Sequence, residues 1–102
     1  MNCSVKLLPI VRTDLQKARK WYNNQSEGLG EKFKAEFNKE IEYIRNNPLH
    51  YQIRYKEIRE SLVSRLPYEI FYLFEEEKQR IVIVGVLHTK RNPKIIEKRL
   101  EK

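Results

Sequence analysis

RIVIVGVLHTKR, Arg80 to Arg91, is the stretch whose reading decides the fold. The seven residues after Arg80 are apolar or glycine, and the β-branched ones among them favour extended backbone. Both faces of such a strand are apolar, so it belongs inside a sheet with material packed on each side rather than at an edge. At His88 the character changes within one residue to His88, Thr89, Lys90 and Arg91. The best-held element therefore ends in a polar, cationic tip, and a rigid strand end is a good platform for contact or chemistry.

Working outward, Glu75 to Gln79 is a polar connection and Glu69 to Phe74 (EIFYLF) a strand rich in aromatics. Pro67 and Tyr68 make a turn. Before it, Ile58, Glu60, Leu62, Ser64 and Leu66 alternate with Arg59, Ser61, Val63 and Arg65, which predicts a strand with one polar, basic face. These three strands read as a meander. Residues 48–56 (PLHYQIRYK) carry weak periodicity and read as a loop with a few extended residues. Asn92 and Pro93 permit a last helix, Pro93 to Leu100.

Toward the N-terminus, Ser4 to Leu8 predicts a short strand closed by Pro9, placed beside the Arg80 strand. Thr13 is a candidate cap for a helix over Thr13 to Gln25, with Leu15, Ala18, Trp21 and Tyr22 at helical spacing. Ser26 to Gly30 breaks the pattern. A second helix follows, with Phe33, Phe37, Ile41 and Ile44 on one stripe, until Asn46, Asn47 and Pro48 stop it. The order β-α-α-β-β-β with a short C-terminal helix predicts an α+β fold in two layers, a helical hairpin packed across an antiparallel sheet.

At 102 residues, with 40% hydrophobic and 34% charged residues, the chain reads as a single folded domain over residues 1–102. No apolar run approaches the ~20 residues of a membrane span, and the N-terminus lacks a signal-peptide pattern. The lone Cys3 excludes an internal disulfide and multi-cysteine metal sites, and a cytoplasmic protein is expected. Residues 45–65 carry a net +3 and residues 88–102 a net +4, which together equal the +7 of the whole chain. The excess is localised and forms one patch if the fold joins the two segments. The alternative is an ordinary solvated basic surface.

His88, beside Lys90 and Arg91, is a candidate general acid or base; the alternative is a hydrogen-bonded structural histidine. His50 lies in the irregular loop without a partner. Arg59, Arg65, Lys90 and Arg91 form a candidate binding constellation, because guanidinium groups suit bidentate contact with phosphate or carboxylate. RNA, DNA and an acidic protein segment all fit that chemistry. Tyr51, Tyr55, Tyr68 and Tyr72 are candidates for base stacking, with sheet packing the alternative. Phosphate-binding glycine loops, metal-spaced His and carboxylate clusters and serine nucleophile elbows are absent from the sequence. No metal or cofactor is expected, and any enzyme built here works with Arg, Lys, His and Tyr.

Assembled, these residues resemble the RelE/ParE superfamily of toxins from bacterial type II toxin–antitoxin pairs. The resemblance covers nearly the whole chain. It rests on Asp14-Leu15 and Trp21-Tyr22, on Gly28-Leu29-Gly30 with Phe33, and on Asn47-Pro48 and Ile58-Arg59. It continues through Arg65-Leu66-Pro67-Tyr68 with Ile70 and Tyr72, and through His88-Thr89-Lys90-Arg91-Asn92-Pro93. The resemblance implies a compact growth-inhibiting toxin held inactive by a cognate antitoxin whose C-terminal part wraps its surface.

Two activities are implied by that superfamily. RelE-like members cleave mRNA in the ribosome, using basic residues and usually a tyrosine or histidine near the C-terminus; ParE-like members poison DNA gyrase. The His88 to Arg91 ending looks more like the ParE branch, and residues 92–102 contain no tyrosine. As a nuclease the chain would rely on Arg65, His88 and Arg91; as a binder, on Arg59, Arg65, Lys90 and Arg91. A non-toxic basic nucleic-acid-binding module and a degenerate toxin relative are the remaining readings.

Overall fold

The computed structural model describes residues 2–63 and 65–101, so Ser64 and Lys102, which entered the strand and charge readings above, lie outside the described residues. The elements run β1 (Ser4–Leu7), α1 (Pro9–Gln25), α2 (Leu29–Asn46), β2 (Ile53–Tyr55), β3 (Ile58–Leu62), β4 (Tyr68–Glu75), a 3-10 turn (Glu76–Lys78), β5 (Arg80–His88) and α3 (Lys94–Leu100). The fold is α+β, as the sequence predicts. The sheet order is β1-β5-β4-β3-β2, which puts β5 in the interior with β1 on one side and β4 on the other.

The sheet is mixed rather than antiparallel. β1 pairs parallel with β5, Ser4 opposite Arg80 and Leu7 opposite Ile83, whereas the pairs β2/β3, β3/β4 and β4/β5 are antiparallel. Parallel pairing needs a long connection, and everything from α1 to β4 lies between these two strands.

Helix α1 starts at Pro9 and not at Thr13. The missing N–H of a proline costs nothing at the first helical position, so the residue that ends β1 also opens α1 without a cap. The stripe turned to the sheet is Val11, Asp14, Ala18 and Tyr22, matched on α2 by Phe33, Phe37 and Ile44. Gly30 lies inside α2 and lets it approach α1: a Cβ there would sit 2.8 Å from the Arg19 carbonyl oxygen. Its N–H donates to Asn23 Oδ1 at 2.8 Å, tying the second helix to the end of the first.

Part of the weakly periodic loop forms β2, the free sheet edge. β3 is shorter than expected, because the chain turns after Leu62: Val63 N–H donates to the Tyr68 carbonyl at 2.9 Å and Leu66 N–H to that of Val63 at 3.1 Å. The face predicted to be polar and basic is the one the helical hairpin covers. Ser61 and Val63 are buried there and Arg59 half-buried, while Leu62 on the other face is 54% exposed.

A β-bulge then sets which way the end of β5 points. Phe71 pairs with Gly85 and Tyr72 with Ile83, which leaves Val84 without a partner. One extra residue inverts the alternation. Ile81 and Ile83 pack under the hairpin and Val82 and Val84 on the opposite face; past the bulge Val86 returns to the hairpin side and Leu87 faces away. The cluster under the hairpin joins these residues to Tyr68, Ile70, Tyr72 and the α1 and α2 stripes. The second cluster, with Ile58, Phe71 and Ile96, is covered by α3, so the short last helix adds a small third layer where two were expected.

Candidate binding surface

His88, after the bulge, stands on the hairpin side between Trp21 of α1 and Tyr68 of β4, with ring centroids 6.3 and 5.2 Å away. Its Nδ1 accepts the Lys90 N–H at 3.0 Å. Thr89 N–H donates to the Pro67 carbonyl at 2.8 Å, and Arg91 N–H to that of His88 at 2.8 Å. The four-residue tip is thus a turn bound to the β3–β4 turn, and it projects Lys90 and Arg91 from a fixed base. These side chains, with Lys17, Trp21, Tyr68 and His88, line an open hollow of about 440 Å³. Burial raises the Tyr68 hydroxyl above the ordinary phenol range, and the nearby Arg91 guanidinium opposes that shift.

Arg65 sits in the turn between β3 and β4, exposed, with φ of 63°. It borders a second, smaller hollow with Tyr22, Phe33 and Leu66. The Tyr22 and Tyr68 rings, 5.8 Å apart, form the wall between the two hollows. Arg65, His88, Lys90 and Arg91 are therefore at one end of the sheet.

Arg59 is not with them. It pairs across the sheet with Tyr72, four residues along β4 from Tyr68, a displacement of about 13 Å at the rise of a strand. Its Nη1 donates to the Tyr51 carbonyl at 2.6 Å, and it lines a groove with Leu49, Ile53, Glu57 and Glu75 to Glu77, an acidic region. The tyrosines near it serve the structure: Tyr72 is fully buried with its hydroxyl on the Pro48 carbonyl at 2.9 Å, and Tyr51 donates to Glu40 at 2.6 Å. Burial pushes Tyr72 up to about 12, with the Arg59 guanidinium and the Tyr51 backbone opposing the shift. His50 lies at that end too, edge-on to Tyr43 and Tyr51.

The two basic segments do not sum to one patch. Arg45 is held by the Cys3 carbonyl and Glu42, Arg54 by Glu60 and Arg99 by Asp14. Arg65, Lys90 and Arg91 make no ion pair among the described residues, and Lys17 joins them without having been singled out in the sequence. Trp21, 45% exposed, was also missed as a site residue, because it was assigned to the apolar stripe. The signal was present: Val11, Ala18 and Tyr22 share one helical face, and Trp21 falls about 100° off that of Tyr22. No group of three or more His, Cys, Asp or Glu among the described residues is arranged to hold a metal. No helix among them is long and apolar enough to cross a membrane.

Comparison with known proteins places this arrangement. Residues 5–93 match the model of the family described as the ParE toxin of the type II toxin–antitoxin system parDE. The chain belongs to the ParE toxin family. Among solved structures it is similar to a free, double arginine-to-alanine mutant of the Escherichia coli toxin RelE, at 12% identity and a TM-score of 0.71, covering 97% of this chain and 94% of that one. It is also similar to a chain of the toxin–antitoxin complex RelBE2 of Mycobacterium tuberculosis, at 19% identity and a TM-score of 0.61, covering 86% of this chain and 92% of that one. At those identities the likeness is one of fold. No curated protein matches the chain. This ParE-family chain is a toxin of the type II toxin–antitoxin class within the RelE/ParE superfamily.

Proposed function

We propose that the toxin acts on DNA gyrase and is neutralised in the cytoplasm by a cognate antitoxin. The observation that carries this reading is the hydrogen bond from Lys90 N–H to His88 Nδ1. With Nδ1 occupied as an acceptor, the neutral ring bears its proton on Nε2, so neither ring nitrogen is free to serve as the base of a nuclease. The match to the ParE model supports the same branch. Lys17, Lys90, Arg91 and Arg65 then serve as contacts to an anionic or carboxylate-bearing surface, rim charges that steer encounter and fix register. An acidic, amphipathic antitoxin segment fits the same charges, with apolar burial holding what electrostatics brings in.

A second reading, ribosome-dependent mRNA cleavage, draws on the meeting of Tyr68, His88 and Arg91 in one hollow. There Arg65 and Arg91 would stabilise charge on the phosphodiester, with His88 as the acid.

Inducible expression with and without the neighbouring reading frame, read separately as plasmid supercoiling and mRNA cleavage, tests the choice. Loss of supercoiling with intact transcripts is expected. Specific transcript cuts that disappear in His88→Ala would overturn it. Absence of co-purification with the neighbouring product would overturn the antitoxin partnership.

A further inference from the structure

The smaller hollow beside Arg65 has features the gyrase reading does not use. It holds about 220 Å³ and lies between α1, α2 and the β3–β4 turn, walled by Tyr22, Leu29, Phe33 and Leu66 with Lys32 and Arg65 at its rim. Small-molecule pockets run from about 300 to 1,000 Å³, so this volume suits a single side chain.

Three observations mark it as a receiving site. Tyr22 is only 8% exposed, and its hydroxyl has no hydrogen-bond partner among the described residues. An unmade hydrogen bond at a buried hydroxyl is unfavourable, and an incoming acceptor removes that cost. Burial, and after it Tyr68, hold this hydroxyl above the usual phenol range, so it stays a donor. Arg65 keeps a left-handed backbone that disfavours a side chain, yet it carries the longest cation available. At the rim, Glu36 lies 3.7 Å from Lys39, while Lys32 and Arg65 make no ion pair among the described residues. The rim is cationic and the walls apolar.

We propose that this hollow anchors one aliphatic or aromatic side chain of the antitoxin, carried on an acidic segment. A backbone carbonyl or carboxylate next to that side chain accepts from Tyr22, and flanking carboxylates meet Arg65 and Lys32. The inference rests on the antitoxin partnership above and names where that partner is gripped.

The test titrates the purified product of the adjacent reading frame into the toxin and into three variants, with a thermal melt for each. Tyr22→Phe removes the unpartnered donor, Arg65→Glu reverses the rim charge on an exposed turn, and Leu29→Trp fills the hollow. Each is expected to weaken binding about tenfold or more, with Tyr22→Phe and Arg65→Glu melting no lower than wild type. Binding of all three within twofold of wild type would overturn the anchor and leave the partnership standing. Loss in Arg65→Glu alone would overturn it too, reducing the contact to rim electrostatics. No binding by wild type would overturn the partnership, and the anchor with it.

Discussion

Asp14 and Arg99, 85 residues apart, close a bidentate ion pair across the open edge of β5. Both oxygen–nitrogen distances are 2.7 Å. Beyond Leu7, β1 no longer covers β5, which leaves backbone groups there without a strand partner. Asp14 Oδ2 accepts the Val86 N–H at 3.0 Å, and Arg99 Nη1 donates to the Val84 carbonyl at 3.2 Å. One side chain comes from α1 on one face of the sheet and the other from α3 on the opposite face. The pair therefore completes the ladder at the bulge and ties the last helix to the first, next to the tip that carries His88.

Removing one partner leaves the other buried and uncompensated, which costs more than the net worth of the pair. Arg99→Ala is expected to destabilise the fold by about 3 kcal/mol, and Asp14→Ala by a similar amount. The double variant should lose clearly less than the two single losses combined. Urea unfolding of the four proteins measures this, and simple additivity would show that the two side chains act independently.

Gly85 sits beside the bulge on the α3 face. A Cβ there would lie 2.2 Å from Ile96 Cδ1 and 3.0 Å from Arg99 Nη1, so Gly85→Ala must push α3 outward. A cost of about 1–3 kcal/mol is expected from overpacking. Ile96→Ala in the same chain should return part of it by making room. An equal loss with and without that second change would rule out this steric account.

The interior position of β5, the order of elements and the helical hairpin were legible because each is written in periodicity that a single segment carries. The bulge was not. Val84 and Gly85 look alike in an all-apolar run, and only the register against Phe71 and Tyr72 reveals the extra residue. That one shift decides whether His88 faces Trp21 and Tyr68 or the α3 side. Arg99 illustrates the other limit: charge counted along the chain included it in a free patch, but its partner Asp14 is distant in sequence and apparent only in three dimensions. Arg59 was misread for a related reason, since alternation gives faces but not which face the helices will cover. Arg65, Lys90 and Arg91 lie near one another because the tip after β5 is hydrogen-bonded to the β3–β4 turn.

Arg65 offers a separation of stability from recognition. At φ of 63° a non-glycine residue is strained by about 1–2 kcal/mol, and glycine returns part of this through chain entropy lost on folding. Arg65→Gly is expected to stabilise the fold by about 0.5–1 kcal/mol while weakening toxicity and antitoxin binding. A melt at or below wild type would show that the turn tolerates arginine without strain.

At the tip, the gyrase reading and the nuclease reading assign opposite weights to neighbouring residues. If Lys90 and Arg91 act as contacts, their joint replacement by glutamate abolishes growth inhibition, whereas His88→Ala lowers it only modestly through lost packing on Trp21 and Tyr68. Colony counts on induction, with a melt to confirm folding, decide this. The reverse order of effects would favour acid–base chemistry at His88.

Glu69 of β4 shares a hydrogen bond with Glu60 of β3, whose Oε1 also accepts from Arg54 of β2 at 2.7 Å. Burial first, then the hydrogen bond and charge of Glu60, push Glu69 from 4.5 up to about 7, with Arg54 opposing. The folded state thus binds the proton more tightly than the unfolded chain does. Its contribution is fully present below about 4.5 and is lost as pH rises through 7. Glu69→Gln is neutral throughout, so it should match wild type near pH 4.5 and exceed it at pH 8 by about 1 kcal/mol once solvent screening at this partly exposed site is allowed for. Urea unfolding at the two pH values gives the comparison. A gain of the same size at both would mean the amide helps through packing, and that Glu60 and Glu69 hold no shared proton.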